Sequence, residues 1–174
     1  MKLEENNNKY ILAIVMITIA AAMRLVPHAP NFTPIAAMAL FGGAYFNDKR
    51  LSYTVPFLAM FISDLVIGFH SLMWAVYLSF AIIVAMGFLL RENNSIIKTA
   101  GVALASSVLF FIVTNFAVWA TGSFYAKDVT GFVQCYVAAI PFFQYNVIGD
   151  LLYTAVMFGA FELAKEKIPA LARR

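Results

Sequence analysis

Long apolar runs separated by short polar breaks dominate the chain, and they restrict it to folds that a lipid bilayer can hold. "MWAVYLSFAIIVAMGFLL" and "TAGVALASSVLFFIVTNFAVWATG" carry no charged residue, and a spanning helix needs about 20 predominantly apolar residues. The whole chain is 63% hydrophobic and 12% charged, where soluble domains average about 45–50% and about 25%. The 174 residues contain no linker, low-complexity tract or internal repeat, so a single domain is expected over 1–174. Cys135 is the only cysteine, which excludes an intrachain disulfide. The small residues ending "AIVMITIAAAM" resemble a signal-peptide cleavage site. However, Lys2 and Lys9 are balanced by Glu4 and Glu5, so an uncleaved first helix is expected.

Hydrophobic runs, polar breaks and prolines predict an all-α integral membrane protein with six transmembrane helices, at about 10–26, 33–47, 52–69, 71–90, 97–120 and 146–164. The stretch "GFVQCYVAAIPFF", residues 131–143, is shorter than the roughly 17 residues a span requires, and Pro141 is expected to break it. It reads as a short re-entrant or surface helix within a long outer loop, 121–145, before the last span.

The distribution of positive charge orients this arrangement. With the N-terminus inside, the inner segments hold Lys2, Lys9, Lys49, Arg50, Arg91, Lys98, Lys165, Lys167, Arg173 and Arg174, and the outer ones only Arg24 and Lys127. Both termini are therefore expected on the cytoplasmic side. Depth then follows from the helical rise of about 1.5 Å per residue. Asp64 falls about 7–8 Å below the outer end of the third span, Asp150 about 6 Å below that of the sixth, and Asn115 about 7–8 Å below that of the fifth. Arg24 closes the first span, with His28 and Asn31 beyond it, and Trp74 and Tyr77 occupy the first outer turn of the fourth.

Carboxylates inside a bilayer are costly, so Asp64 and Asp150 must face the bundle and find partners. Arg24 is the cation for one; Asn115 and Asn146 can donate to the other. Such groups can simply tie helices together. Their convergence at one depth also fits a small-molecule pocket open to the outside and covered by the 121–145 loop. That loop supplies Tyr125, Gln134 and Tyr136, and Trp119 precedes it; aromatic walls with a few polar groups are how sites hold flat organic ligands. The candidate solute-binding set is thus Arg24, His28, Asn31, Asp64, Trp74, Tyr77, Asn115, Trp119, Tyr125, Gln134, Tyr136, Asn146 and Asp150.

His28, His70 and Cys135 share the outer side, but no His-x-x-x-His or Cys-x-x-Cys spacing supports a metal site, and no cofactor is expected. Asp64 and Asp150 could serve a membrane enzyme as acid and base on a lipid-linked substrate. No accompanying nucleophile or magnesium-binding carboxylate cluster is visible, so the expectation is not an enzyme. A non-transporting assembly protein is the other alternative. No nucleic-acid partner is expected.

Two spans carry a family resemblance. "TVPFLAMFISDLVIGF" resembles the small-residue helix ending in an acid and glycine of S components, the solute-binding subunits of energy-coupling factor (ECF) vitamin transporters. "QYNVIGDLLYTAVMFGAFEL" resembles their final helix. "PHAPNFTPIAAMALFGGAYF" and "CYVAAIPFF" are similar to an uncharacterised family of transport-type proteins related to that superfamily. The resemblance covers nearly the whole chain. It implies uptake of a vitamin or precursor across a bacterial cytoplasmic membrane, by toppling in the bilayer. It also implies docking to a transmembrane coupling protein with two ATPase subunits. The chain has no G-x-x-x-x-G-K-[ST] phosphate loop of its own. S components dock through Ala-x-x-x-Ala on the first helix; here that helix offers Thr18 and Ala22, while Ala81/Ala85 and Ala155/Gly159 show small-residue spacing elsewhere.

Overall fold

Apolar runs of this length satisfy their backbone polar groups internally as helices, and the structure follows that rule throughout. The computed structural model describes residues 2–168, without the side chains of 2–6. The side-chain charge of Lys2, and Arg173 and Arg174 in the C-terminal tail, therefore lie outside the described part. Among the described residues there are six helices and no strand: α1 Lys2–Met23, α2 Ile35–Tyr45, α3 Lys49–Ile67, α4 Met73–Gly87, α5 Ile96–Thr121 and α6 Val129–Lys167. A 3₁₀ turn, Phe88–Leu90, continues α4. Four of these, α3, α4 with its turn, α5 and α6, are long and apolar enough to cross a membrane. Large apolar side chains point outward from them, including Ile62, Val66, Ile112 and Leu152, as they do on helices apolar all round.

The second helix departs from the expected span at 33–47. It has only 11 residues, about 16 Å of helix, too short to cross alone. Every residue from Ile35 to Ala44 is buried, so it forms the axis of the bundle rather than part of its wall. Its small side chains allow this. A Cβ on Gly43 would lie 2.1 Å from Val84 O, and one on Gly87 would lie 2.5 Å from Leu40 O. The backbones of α2 and α4 therefore touch at a pair of glycines.

The expected loop at 121–145 is also corrected. Residues 122–128 form a tight connection, and 131–143 belong to α6, one continuous helix of 39 residues. Pro141 lies inside it. An interior proline costs about 3 kcal/mol, but this segment packs along the end of α5. Phe111 meets Tyr136 edge-on and packs at a tilt against Phe143, Trp119 meets Phe132 edge-on, and Tyr136 Oη donates to Ile112 O at 2.7 Å. Asp128 starts the helix by accepting from Gly131 N at 2.8 Å. Tertiary packing outweighs the proline, and α5 and α6 form an antiparallel hairpin.

Candidate functional site

The short α2 leaves the axis of the bundle unfilled beyond its first residue. There the non-helical connection 24–34 and the surrounding helices enclose a cavity of about 350 Å³. Its polar lining includes Arg24, Asn31, Thr33, His70, Asn115 and Asn146. Its apolar lining comes mainly from Phe110, Phe111 and Val118 of α5 and Phe142 and Phe143 of α6. Asn31 adopts φ 64°, a left-handed conformation that asparagine tolerates better than most residues. The connection is held against α6 by close packing: a Cβ on Gly149 would lie 3.2 Å from Phe32 Cα.

Arg24 is fixed at the cavity edge by groups beneath it. Its Nη2 lies 2.6 Å from Asp64 Oδ1, and its Nη1 donates to Met60 O and to Ser63 Oγ. Tyr77 Oη donates to Asp64 Oδ2 at 2.8 Å. Asp64 sits one turn before Gly68, which ends α3 with φ 102°. This carboxylate does not line the cavity; it positions the guanidinium that does.

Asp150 has a different setting. Asn146 Nδ2 donates to its Oδ2 at 2.8 Å, and Ser107 Oγ lies 2.6 Å from the same oxygen. Asn146 reaches the cavity wall and Asp150 lies behind it. Among the described residues, no cation pairs with Asp150.

The opposite end of the bundle is closed. Arg91 donates to Gly43 O at 2.9 Å and Phe46 O at 2.7 Å, capping the C-terminal carbonyls of α2, and to Ser52 Oγ at 3.0 Å. Glu162 accepts from Tyr45 at 2.7 Å, Asn94 at 2.8 Å and Lys165 at 2.7 Å. Phe41, Tyr45, Phe158 and Phe161 pack ring against ring above that network.

Of the residues singled out from sequence, Arg24, Asn31, Asn115 and Asn146 line the cavity. Asp64, itself held by Tyr77, supports Arg24 from behind, and Asp150 supports Asn146. Asn115, expected to donate to an acid, instead donates to Phe111 O at 2.8 Å. The remainder lie elsewhere. His28 is exposed, with Nδ1 2.6 Å from Val26 O, and Trp74 is 49% exposed. Trp119 donates to Ala126 O at 2.9 Å at the hairpin tip, and Tyr125 sits half-buried in the connection beside it. Gln134 is exposed, and Tyr136 is spent on the α5–α6 packing. Because 131–143 runs on into the last span instead of forming a separate short helix, these aromatics hold the hairpin together instead of covering the cavity. Cys135 is buried against Asn115 O, 3.5 Å away. Among the described residues no group of three His, Cys, Asp or Glu side chains is placed to hold a metal ion.

Sequence reasoning missed Thr33, Phe110, Phe111, Thr114 and Val118 as lining residues. Phe111 and Val118 lie four and three residues from Asn115, and Phe110 and Thr114 continue the same face at spacings of four, so extending that face would have found them.

Fold and site together define the class: an all-helical bundle with membrane-length helices and a cavity at one end. Residues 4–171 match DUF6580, described as a family of unknown function, and the chain belongs to that family. No curated protein and no solved structure matches it.

Proposed function

We propose that the protein is a multi-pass transport protein of a bacterial cytoplasmic membrane that binds a small organic solute in this cavity for uptake. The observation that carries the reading is the half-length central helix, which leaves a cavity at one end of a bundle sealed at the other. The volume lies within the roughly 300–1,000 Å³ of small-molecule sites, and phenylalanine walls with a few amides and one guanidinium suit a flat, partly polar molecule. Asparagines and a fixed arginine at a cavity edge favour a solute with carbonyl or carboxylate oxygens.

In this reading all six helices belong to the membrane domain, with α2 and the 24–34 connection together completing one passage. Irregular backbone at membrane depth is acceptable where it lines a cavity. Lys9, Lys49, Arg50, Arg91, Lys98, Lys165 and Lys167 gather at the sealed end, against Arg24 and Lys127 at the open end. The positive-inside rule then turns the cavity outward and both termini to the cytoplasm. Two other concavities are apolar grooves on the outer surface, one between α1 and α3 and one between α5 and α6, where acyl chains would lie. Resemblance to S components makes a vitamin or precursor the preferred solute. It makes a transmembrane coupling protein with two ATPase subunits the preferred energising partner.

The test is a thermal-shift panel of water-soluble vitamins and their precursors on the purified protein. At least one compound should stabilise the wild type but not Thr114→Trp, which fills the cavity. If no member of the panel raises the melting temperature of a well-folded preparation, the solute class is wrong.

A further inference from the structure

Asp150 is 3% exposed, and none of the elements packed against it offers a cation. On α5 the ionisable residue is Lys98, at the sealed end and donating to Leu89 O. On α2 it is Tyr45, engaged with Glu162. Among its described side chains, α1 brings Lys9 and Tyr10 at the sealed end. Arg24, just past its other end, is held on Asp64. The 24–34 connection contributes His28, exposed and turned to Val26 O. On α6 itself the titratable groups flanking Asp150 are Tyr145, Tyr153 and, three turns away, Glu162 with Lys165. A buried carboxylate without a cation is among the most costly groups a protein can hold.

Counting protons resolves the cost. The Ser107 hydroxyl has one proton and two acceptors in reach: Asp150 Oδ2 at 2.6 Å and Ala103 O at 3.2 Å. With Asp150 ionised, only one of these contacts can be a full hydrogen bond. With Asp150 protonated, its Oδ2–H donates to Ser107 Oγ and the Ser107 proton goes to Ala103 O. Oδ2 still accepts from Asn146 Nδ2 at 2.8 Å. All three contacts are then satisfied. One turn toward the sealed end, the Thr154 hydroxyl is buried without a hydrogen-bond partner. It borders the groove that Glu162 also lines. The row Asn146, Asp150, Thr154 thus runs from the cavity wall toward the closed end.

We propose that Asp150 is a proton-binding site linked to the cavity, so that its proton is held more tightly when solute is bound. Asn146 is the link, because the same side chain lines the cavity and donates to Asp150. A solute that draws the Asn146 amide away removes a donor from the carboxylate and favours its protonated form. By reciprocity, protonation eases release of Asn146 to the solute. One proton passes from hydronium in the cavity to Asp150 Oδ2, breaking one O–H bond as the other forms and leaving water; the reverse transfer to water restores the carboxylate. The solute half of this linkage rests on the proposed transport function, whereas the proton site does not.

Infrared spectroscopy of the protein in lipid nanodiscs, in near-neutral buffer without added solute, tests the site directly. The carbonyl stretch of a protonated carboxylic acid should be present in the wild type and retained in Asp64→Asn and Glu162→Gln. It should be lost in Asp150→Asn and shifted but kept in Asp150→Glu, which also serves should the asparagine variant fail to fold. A band that is absent, that is indifferent to both Asp150 substitutions, or that appears only when sodium is replaced by choline would overturn the proposal. The last result would assign the site to an alkali cation. Failure to find any bound solute would defeat the transport function while leaving this result standing.

Discussion

Arg24 and Asp64 meet at 2.6 Å across 40 residues of sequence, with side chains only 9% and 6% exposed. Because Tyr77 shares the same carboxylate, a single acid joins the end of α1 to α3 and α4 at the rim of the cavity. An uncompensated buried charge is far more costly than a buried pair. Asp64→Asn should therefore destabilise the protein by about 3 kcal/mol, read as a lower melting temperature in detergent. The double variant Arg24→Met/Asp64→Leu should recover most of that loss while losing solute retention.

The Gly43–Gly87 contact leaves no room for a methyl group on either helix. Gly43→Ala and Gly87→Ala should each cost about 1–3 kcal/mol through overpacking. The pair should be non-additive, because the first substitution already forces α2 and α4 apart. Gly101→Ala is the control, since nothing lies near its added Cβ. Thermal unfolding of the four proteins separates these outcomes.

Gly131 fixes the α5–α6 turn: a Cβ there would lie 2.1 Å from Ala126 O. Gly131→Ala should loosen the hairpin tip and expose Cys135, which is 2% exposed in the intact fold. Maleimide labelling should then be slow in the wild type and rapid in the variant. Rapid labelling of the folded wild type would contradict the continuous helix.

Arg91 closes the sealed end through three acceptors on α2 and α3. Arg91→Ala leaves the carbonyls of Gly43 and Phe46 without these donors and should cost about 1.5–3 kcal/mol. Arg91→Lys should recover only part of this, because an ammonium lacks the planar fork. Urea-dependent loss of helicity in mixed micelles would quantify both.

Sequence made much of the scaffold legible, since apolar runs of span length have few alternatives to helices. That Arg24 pairs with one of the two buried acids was legible too, because a buried acid requires a partner and few cations were within reach; the structure shows that the acid is Asp64. Two features were not. A length rule and Pro141 set 131–143 apart as a short helix of its own, but the packing of Phe111 against Tyr136 and Phe143, which helps carry the helix through the proline, is a tertiary effect with no local trace. The half-length of α2 was equally hidden, since "TPIAAMALFGGAYF" has the composition of a packed span. Only the backbone shows that the helix begins at Ile35 and leaves a cavity behind it. Ser107 escaped notice because a lone serine in an apolar helix more often bonds its own backbone, and Ser107 does that as well as facing Asp150.

Native mass spectrometry of the purified protein tests the central claim, a solute cavity above α2, most directly. The wild type and Glu162→Gln, whose change lies at the sealed end, should carry the same co-purified small molecule. Thr114→Trp, with its cavity filled, should emerge empty at unchanged stability. A wild type that is reproducibly empty, even after incubation with a mixture of water-soluble vitamins and precursors, would contradict the claim. Retention of the ligand by Thr114→Trp would contradict it equally.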